Sequence, residues 1–351
     1  MLPGPERSPR ALLFTSTFAF ISLPLVLFSS LAAKPADSWA ERAGAQQTEI
    51  LRLERSLDAM GTTYTVALFG TDRFAMDEAV EEAFEEVQRL DLVMSNYRPE
   101  SEWSRINREA SKGPVAVSGE TFELLARCLE YSRRSEGAFD ITVGPLMKIW
   151  GFYKGSGRIP HRAEIRTALG RVGWKRVRLD RAAKTVRFDA PVEIDPGGIG
   201  KGYAVDRMAD VLRQRGVKSG FITAGRSSMY GIGAPPNESR GWRVEIPNPR
   251  DSRQTAAVIF LKDQSMATSG STEKFFAAGG RIYTHIMDPR TGYPAEGMLQ
   301  VSVVAPKATD SEAWTKPYFV LGRAWAEKNK PKDFQVFLCE DRSENACVSL
   351  Q

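Results

Sequence analysis

The chain has 351 residues, enough for one large domain or about two average ones, and its 42% hydrophobic and 26% charged content is that of an ordinary soluble globular protein. A core of that size needs no disulfide or metal to hold it together. The 48 Lys and Arg residues only slightly outnumber the 43 Asp and Glu residues and form no basic block, which argues against a nucleic-acid partner and leaves an anionic ligand or an anionic membrane surface open.

The N-terminal segment has the pattern of an export signal. Arg7 and Arg10 precede an apolar run that ends in small residues near Ala33. A charged segment, an apolar segment and small residues, in that order, are typical of a secretory signal. The run has about 20 residues, so it is also long enough to remain as a membrane anchor. We expect residues 1–33 to be a signal peptide or N-terminal anchor, residues 34–47 to be a linker, and the folded part to be periplasmic or otherwise extracytoplasmic, free or held at the inner membrane.

Hydrophobic periodicity predicts helices in the rest of the chain. The clearest is an amphipathic helix over 74–92, with apolar residues at helical spacing: Met76, Ala79, Val80, Ala83, Phe84, Val87 and Leu90. Further helices are predicted near 119–135, where Ser118 can cap the first turn, near 162–170, from Gly200 to about Arg215, and at about 310–329.

Strands are predicted between these helices. They fall within 48–70 and at 185–188, 219–223, 228–232, 241–246, 256–261, 299–304 and 334–338, and the segment 263–295 is predicted to be rich in loops. Because strands and helices are intermixed and many strands look joined by hairpins, the predicted fold class is α+β, with mixed, largely antiparallel sheets and packed helices in one domain over residues 48–338.

The three cysteines have different surroundings. Cys128 lies in an apolar helical pattern and is predicted to be a buried small hydrophobic residue. Cys339 and Cys347 flank a polar turn, and an oxidising compartment permits a hairpin disulfide between them; two unrelated thiols are the alternative. No His or further Cys lies near the pair, so a metal site is not expected there. Residues 339–351 are expected to form a C-terminal tail.

A glycine-rich turn follows a strand that ends at Asp195. It reads Asp-Pro-Gly-Gly-Ile-Gly-Lys-Gly over 195–202 and leads into a helix. Glycines let backbone N–H groups approach a ligand, and a helix N-terminus favours anions, to which Lys201 would add a positive charge. The spacing is neither that of a P-loop nor that of a dinucleotide-binding GxGxxG turn. Alone, the turn indicates either a phosphate site or a tight turn without a ligand.

His285 is one of only two histidines and lies in the segment Thr-His-Ile-Met-Asp-Pro-Arg-Thr-Gly. A histidine in such a loop suits a general base or a phosphate partner. The Asp-Pro-Arg-Thr-Gly part is also good turn chemistry by itself. His161 has no comparable neighbours and is expected to be exposed.

Seven segments, in order, resemble the FAD:protein FMN transferase (ApbE) family. They span about 60 to 322, and they are Met60-Gly61-Thr62, Asn96–Asn107, Gly137–Leu146 with Trp150-Gly151-Phe152, Asp195–Asp206, Ala267–Gly270, the His285 loop and Phe319–Gly322.

The resemblance implies an ApbE-like, T-fold-like architecture and a defined reaction. Proteins of the family bind FAD, break its pyrophosphate with the help of Mg²⁺ and transfer FMN to a Thr or Ser hydroxyl of a target flavoprotein, releasing AMP. His285 would then be the acid/base group. By position, the FAD contacts would be Met60, Tyr97, Ala138, Phe139, Asp140, Asp195, Lys201 and Ile286. The Tyr97 ring suits a flavin neighbour, or it is a partly buried loop anchor.

One departure from the family pattern concerns the metal. Where the family places an Asp and a Thr four residues apart, together with a backbone carbonyl, this chain has Glu312, Lys316 and Gly198. Glu can bind a hard cation, whereas a lysine ammonium only donates. The pair is alternatively an i,i+4 ion pair on an exposed helix face. Ser311 and Thr315 have the same spacing, so a shifted register stays open.

A second departure is Arg226, which stands where many family members have an Asp. It would bind phosphate or line the surface. Three hypotheses follow from these patterns. The first is an exported FMN transferase. The second is an FAD-binding or FAD-hydrolysing relative without transfer, and the third is a non-catalytic periplasmic assembly partner.

Overall fold

The computed structural model describes residues 49–271, 273–341 and 347–350. The predicted signal or anchor at 1–33 and the predicted linker at 34–47 lie outside these residues. Among the helices of the described part, none combines the length and hydrophobicity that a bilayer-spanning segment requires.

The described residues form both helices and strands, which confirms the α+β class. The α-helices are Arg73–Met94 (α1), Glu102–Glu109 (α2), Gly119–Arg134 (α3), Gly144–Ile149 (α4), Arg162–Leu169 (α5), Gly200–Gln214 (α6), Ala308–Leu321 (α7) and Arg323–Asn329 (α8). The strands are Leu51–Ala59 (β1), Thr62–Gly70 (β2), Val115–Ala116 (β3), Val177–Asp180 (β4), Thr185–Phe188 (β5), Ser219–Ala224 (β6), Ser228–Ile232 (β7), Trp242–Pro247 (β8), Thr255–Leu261 (β9), Gln264–Gly270 (β10), Phe275–Ala278 (β11), Arg281–Thr284 (β12), Met287–Asp288 (β13), Tyr293–Pro294 (β14), Met298–Ala305 (β15), Gln335–Glu340 (β16) and Cys347–Leu350 (β17).

A central sheet has its strands in the order β1-β2-β6-β7-β10-β15-β16-β17, with every neighbouring pair antiparallel. Both of its faces are covered near β15. Val301 and Val303 belong to the larger apolar core, to which helices α1, α6 and α7 contribute. Val304 packs instead with Ile246 and Leu261 of the β8–β9 hairpin. Successive side chains of a strand point to opposite faces, so one strand serves both cores.

Helices α1 and α3 confirm two of the helices predicted from hydrophobic periodicity. The apolar residues predicted for 74–92 are all buried, and the Asp72 carboxylate caps α1 by accepting from Ala75 N at 3.0 Å. The predicted cap of α3 is also present, since Ser118 Oγ accepts from Thr121 N at 3.2 Å. Cys128, on α3, is fully buried in the larger core, as predicted.

The segment 263–295 differs most from its prediction, because it contains a strand of the central sheet. The sequence of β10, Gln-Ser-Met-Ala-Thr-Ser-Gly, is small and polar, which is typical of a loop. The hydroxyls find buried partners instead. Ser265 Oγ donates to Ser311 Oγ at 3.0 Å, and Ser269 Oγ donates to Thr315 Oγ1 at 2.8 Å. These bonds let a polar strand pack tightly beneath α7.

Helix α7 is fixed at its N-terminus by a residue of α6. The Asp206 carboxylate accepts from Ala308 N at 2.6 Å, from Thr309 N at 2.9 Å and from the Thr309 hydroxyl. The helix predicted over 310–329 is two helices, because Gly322 between them has a φ of 77°. A positive φ lies outside the α-helical range and is readily adopted by glycine, so the first helix ends here.

The C-terminal segment extends the sheet: β16 runs past the predicted domain boundary at 338 to Glu340, and β17 lies within the segment predicted as a tail over 339–351. Strand β17 pairs with β16 and forms the edge of the sheet. The predicted disulfide between Cys339 and Cys347 is present and joins these two strands.

A second, smaller apolar core surrounds Trp150 and is called the Trp150 core below. Its buried members are Leu146, Trp150, Ile165, Ala168, Val172 and Met287. Trp150 Nε1 donates to Gly292 O at 3.0 Å, and its ring contacts Phe276 and Tyr283 of the β11–β12 hairpin. These contacts hold the hairpin that leads to His285.

Candidate active site

A pocket open to solvent lies where the larger core meets the Trp150 core. Its lining is Ala138, Phe139, Asp140, Ile141, Val143, Met147, Asp195, Gly198, His285, Met287, Pro289 and Lys316. Phe139 and Ile141 belong to the larger core, whereas Met287 belongs to the Trp150 core. The fold therefore brings the Asp195 turn and the His285 loop, far apart in sequence, to one cavity.

The Asp195 carboxylate organises the glycine-rich turn. Its Oδ1 accepts from Gly197 N at 2.7 Å and caps the 3₁₀ turn Pro196–Gly198. Its Oδ2 accepts from Asn96 Nδ2 at 3.2 Å and from the hydroxyl of Tyr153. Burial and the Asp195 charge raise the pKa of Tyr153, so its hydroxyl stays protonated and donates. Asp195 thus positions both the turn and a tyrosine beside it.

Asp140 is buried, and its carboxylate is used within its own loop. Oδ1 accepts from Thr142 N at 2.8 Å and Thr142 Oγ1 at 2.6 Å, and Oδ2 accepts from Trp174 N at 2.9 Å. Burial raises the pKa of Asp140, and these hydrogen bonds oppose the rise. Asp140 is therefore a positioning residue that fixes the loop presenting Ala138 and Phe139 to the pocket.

His285 is held in one orientation by Lys274, at the start of the β11–β12 hairpin. The Lys274 carbonyl lies 3.0 Å from His285 N and 3.0 Å from Nδ1. A carbonyl only accepts, so Nδ1 carries the proton of the neutral ring and Nε2 keeps a free lone pair. Burial lowers the pKa of His285 to about 4, and the positive charges of Lys316, Lys274 and Lys201 add to this. At neutral pH the ring is an uncharged base at Nε2.

Glu312 and Lys316 lie beside the glycine-rich turn and form a partly enclosed pair. Glu312 Oε2 accepts from Gly202 N, and Lys316 Nζ lies 3.9 Å from Glu312 Oε1 while donating to Glu312 O at 2.9 Å. The side chains are 4% and 23% exposed, so the exposed surface pair considered from the sequence is wrong. Burial lowers the pKa of Lys316 to about 8 and the Glu312 charge opposes this, so the ammonium is mainly protonated at neutral pH.

The alternative register of α7, with Ser311 and Thr315 in place of Glu312 and Lys316 at the pocket, is also wrong. Ser311 and Thr315 accept hydrogen bonds from Ser265 and Ser269 of β10, and Thr315 Oγ1 donates to Glu312 O at 2.7 Å. Their hydroxyls are fully buried against the sheet. They therefore face away from the pocket and are committed to packing.

The donors around Glu312 do not fit Mg²⁺. That ion needs near-octahedral oxygen ligands at about 2.0–2.1 Å. One Glu312 oxygen is bound to an N–H, and the Lys316 ammonium stands near the other. A Cβ placed on Gly198 would lie 3.8 Å from Lys316 Cε, so the lysine also borders that glycine. Within the described residues, no three Asp, Glu, His or Cys side chains are grouped to hold a metal. The predicted metal residues Gly198 and Glu312 thus surround a lysine.

Lys201 is the second cation near this site. It lies in the first turn of α6, and its Nζ donates to the hydroxyl of Ser227 in the turn between β6 and β7. Its positive charge contributes to lowering the pKa of both His285 and Lys316. Arg226, in the same turn as Ser227, is exposed.

The other predicted FAD contacts lie outside the pocket lining. Met60 occupies the β1–β2 turn with a φ of 50°, and its sulfur accepts from Tyr64 OH at 3.3 Å. Tyr97 is 79% exposed, with its ring 6.4 Å from that of Tyr153, so it is not a partly buried anchor. Ile286 is buried in the larger core.

The sequence reasoning missed Tyr153 and the apolar residues of the smaller core. Tyr153 directly follows Trp150-Gly151-Phe152, and a third aromatic residue beside that segment was the available signal. Met147 and Met287 carry no such signal, because a methionine that lines a pocket has the same pattern as one in a core. His161 is exposed, as predicted.

Comparison with known proteins gives consistent matches over this domain. The ApbE family model matches residues 60–338. The FAD:protein FMN transferase of Salmonella typhimurium is 30% identical over 279 residues, covering 77% of this chain and 78% of the relative. The FAD:protein FMN transferase of Klebsiella pneumoniae is 32% identical over 270 residues, covering 74% and 82%.

Solved structures agree with these matches. The ApbE protein of Thermotoga maritima superposes with a TM-score of 0.76 at 29% identity, covering 85% of this chain and 96% of the other. The flavinyl transferase ApbE of Pseudomonas stutzeri has a TM-score of 0.75 at 28% identity, covering 86% and 94%.

Proposed function

This chain belongs to the ApbE family, and from that we propose that it is an exported FAD:protein FMN transferase, which transfers FMN from FAD to a Thr or Ser hydroxyl of a target protein and releases AMP. The observation that carries the proposal is the single pocket shared by the Asp195 turn and His285, with Lys316 in its lining and Lys201 nearby. A neutral base next to positive charge is what transfer of a phosphate-bearing group to a hydroxyl requires.

The proposed reaction uses His285 as the base. His285 Nε2 takes the proton of the acceptor hydroxyl, and the hydroxyl oxygen forms a bond to the phosphorus of the FMN half of FAD. The bond from that phosphorus to the bridging oxygen breaks, and AMP leaves with the electron pair. The proton on His285 passes to solvent or to the leaving phosphate. The Lys201 and Lys316 ammoniums reduce the negative charge that develops on the phosphate oxygens.

The resemblance also implies Mg²⁺, which in such reactions acts as a Lewis acid on phosphate oxygens. The donors around Glu312 do not match that ion, and we assign it no step here.

Incubation of the purified chain with FAD and an acceptor domain bearing a target Thr tests the proposal. Covalent flavin on the acceptor, seen by in-gel fluorescence, together with one AMP per label by chromatography, is the expected result. AMP and free FMN without labelling would instead identify a hydrolase. FAD binding without AMP, or no FAD binding, would favour a non-catalytic assembly role. The acceptor with its target Thr changed to Ala is the matched control.

Export is part of the proposal. It is supported by the charged, apolar and small-residue order of the N-terminal segment and by the Cys339–Cys347 disulfide, which an oxidising compartment favours. Cell fractionation with an epitope-tagged chain should find the protein in the periplasm or on the periplasmic side of the inner membrane. Recovery in the cytoplasm alone would contradict export without affecting the proposed chemistry.

A further inference from the structure

The pocket holds a fixed positive charge at the place where the family pattern puts a metal ion. Lys316 reaches the pocket lining from α7, and α7 is itself fixed by the Asp206 cap on its first turn. The Lys316 side chain is 23% exposed, and its ammonium is restrained by the carbonyl and carboxylate of Glu312. An ammonium held in this way loses little conformational freedom when it meets a ligand, so it is preorganised for an anion.

The Lys316 ammonium still has donors for a ligand. It carries three N–H groups, and one of them is used at 2.9 Å by the Glu312 carbonyl. The Glu312 carboxylate oxygen at 3.9 Å is beyond hydrogen-bond range and contributes only charge. Among the described residues, no other acceptor is bonded to this ammonium, so two N–H groups remain for phosphate oxygens in the pocket, which the Asp195 turn borders through Gly198.

The same arrangement opposes a divalent cation. Glu312 is neutralised by Lys316, and one of its oxygens already accepts from Gly202 N. A metal placed between Glu312 and Gly198 would meet the like charge of the partly buried Lys316, and repulsion between charges grows as solvent is excluded. Removing or displacing the lysine would leave Glu312 as a buried carboxylate without its cationic partner, which is also unfavourable.

We propose that Lys316, held by Glu312, supplies at the FAD pyrophosphate the positive charge that the family pattern assigns to Mg²⁺, so that this chain binds FAD without a divalent cation. The inference rests on the proposed function for the identity of the ligand. Lys316 keeps its proton throughout the transfer, and the bonds made and broken are those described above.

Isothermal titration of FAD into the full chain tests this, in EDTA and again with excess Mg²⁺. We expect equal affinity in the two conditions. Lys316→Met should weaken FAD binding about tenfold or more in EDTA, which corresponds to the loss of one charge-assisted hydrogen bond. Lys316→Thr should bind FAD about tenfold more tightly with Mg²⁺ than in EDTA, because it removes the competing charge and adds an oxygen ligand. Lys328→Met, an exposed change of equal charge on α8, should bind as the wild type does.

Direct titration of Mg²⁺ into the wild-type chain needs no variant and guards against misfolded mutants. Saturable Mg²⁺ binding that tightens FAD affinity, or FAD affinity that is lost in EDTA, would overturn the proposal. So would a folded Lys316→Met chain that binds FAD like the wild type. Metal-independent FAD binding without labelling of an acceptor would support the proposed role of Lys316 and contradict the proposed transferase activity. Labelling of an acceptor that requires Mg²⁺ would support the transferase activity and contradict the role of Lys316.

Discussion

The main-chain carbonyl of Lys274 accepts two hydrogen bonds from His285, one from its backbone N–H and one from Nδ1, each 3.0 Å long. The first bond closes the base of the β11–β12 hairpin, and the second orients the ring. A single backbone oxygen therefore sets both the position of the histidine and the nitrogen that is free to react.

Replacement of this histidine should remove catalysis and spare binding. We expect His285→Ala to lower turnover by about 100-fold or more, the lower end for a positioned acid/base group, with FAD affinity largely kept. Initial rates of AMP release and calorimetric FAD titration measure the two effects. His161→Ala changes the only other histidine, which is exposed, and should keep full activity. Near-normal turnover of His285→Ala would remove His285 from the mechanism.

Acid should destabilise the fold through the same residue. The pKa of His285 is lowered from 6.5 to about 4, so between these values the unfolded chain binds a proton that the folded chain does not. The free energy of unfolding then falls as the pH falls through this window and is unaffected above it. In urea unfolding, the stability of the wild type relative to His285→Gln should drop by about 1–2 kcal/mol between about pH 7 and pH 5. If the wild type instead becomes more stable relative to His285→Gln as the pH falls, the His285 ring must be protonated in the folded chain.

Close contact between α6 and α7 predicts a large effect of one methyl group. A Cβ on Gly202 would lie 2.3 Å from Ala308 O and 3.0 Å from Glu312 Cβ, and neither helix can move without disturbing the sheet beneath it. We expect Gly202→Ala to cost about 1–3 kcal/mol by overpacking. Gly113→Ala, where nothing lies within 4 Å of the added carbon, is the matched control and should be close to neutral. Equal unfolding midpoints for the two variants would contradict the observed helix packing.

The cap on α7 predicts a moderate stability loss. Asp206→Asn keeps one accepting oxygen for the three donors at the start of the helix, and an unfavourable NH₂ group replaces the other. We expect a loss of about 1–2 kcal/mol, as for a helix N-cap. Asp210→Asn lies on α6 like Asp206, but Asp210 is exposed and, within the described part of the chain, is paired with Arg207 alone, so this change should alter stability by less than about 0.5 kcal/mol. Chemical denaturation measures the free energy of unfolding of both variants, and an equal loss in the two would contradict a stabilising role for the Asp206 cap.

Much of the fold follows from residues whose surroundings can be read locally. The apolar period of α1 and the Ser118 cap depend on neighbours within the helix, so they were predicted correctly. Strand β10 was missed because its serines are satisfied by Ser311 and Thr315, more than forty residues away, and no local pattern indicates such partners. The short helix α4 was missed for a similar reason, since its stability comes from packing in the Trp150 core.

In the candidate active site, too, local motifs could be predicted from the sequence and tertiary contacts could not. Ordered motifs identified the Asp195 turn and the His285 loop, and the structure places both at one pocket. The motifs did not indicate what each carboxylate does. Asp140 is occupied by Thr142 and Trp174, and Glu312 is buried against Gly202 and Lys316, because tertiary contacts decide which oxygen atoms remain free.

Because the pocket lies between two separately packed cores, its two walls can differ in local stability. The β11–β12 hairpin that leads to His285 packs on the small Trp150 core, whereas the Asp195 wall belongs to the larger core around the central sheet. Regions with fewer buried contacts open more often than the most stable strands. Amide hydrogen exchange in β11 and β12 should therefore be faster than in β15. The fraction of molecules ready for ligand would then be set by a local opening equilibrium, which FAD would shift by slowing that exchange.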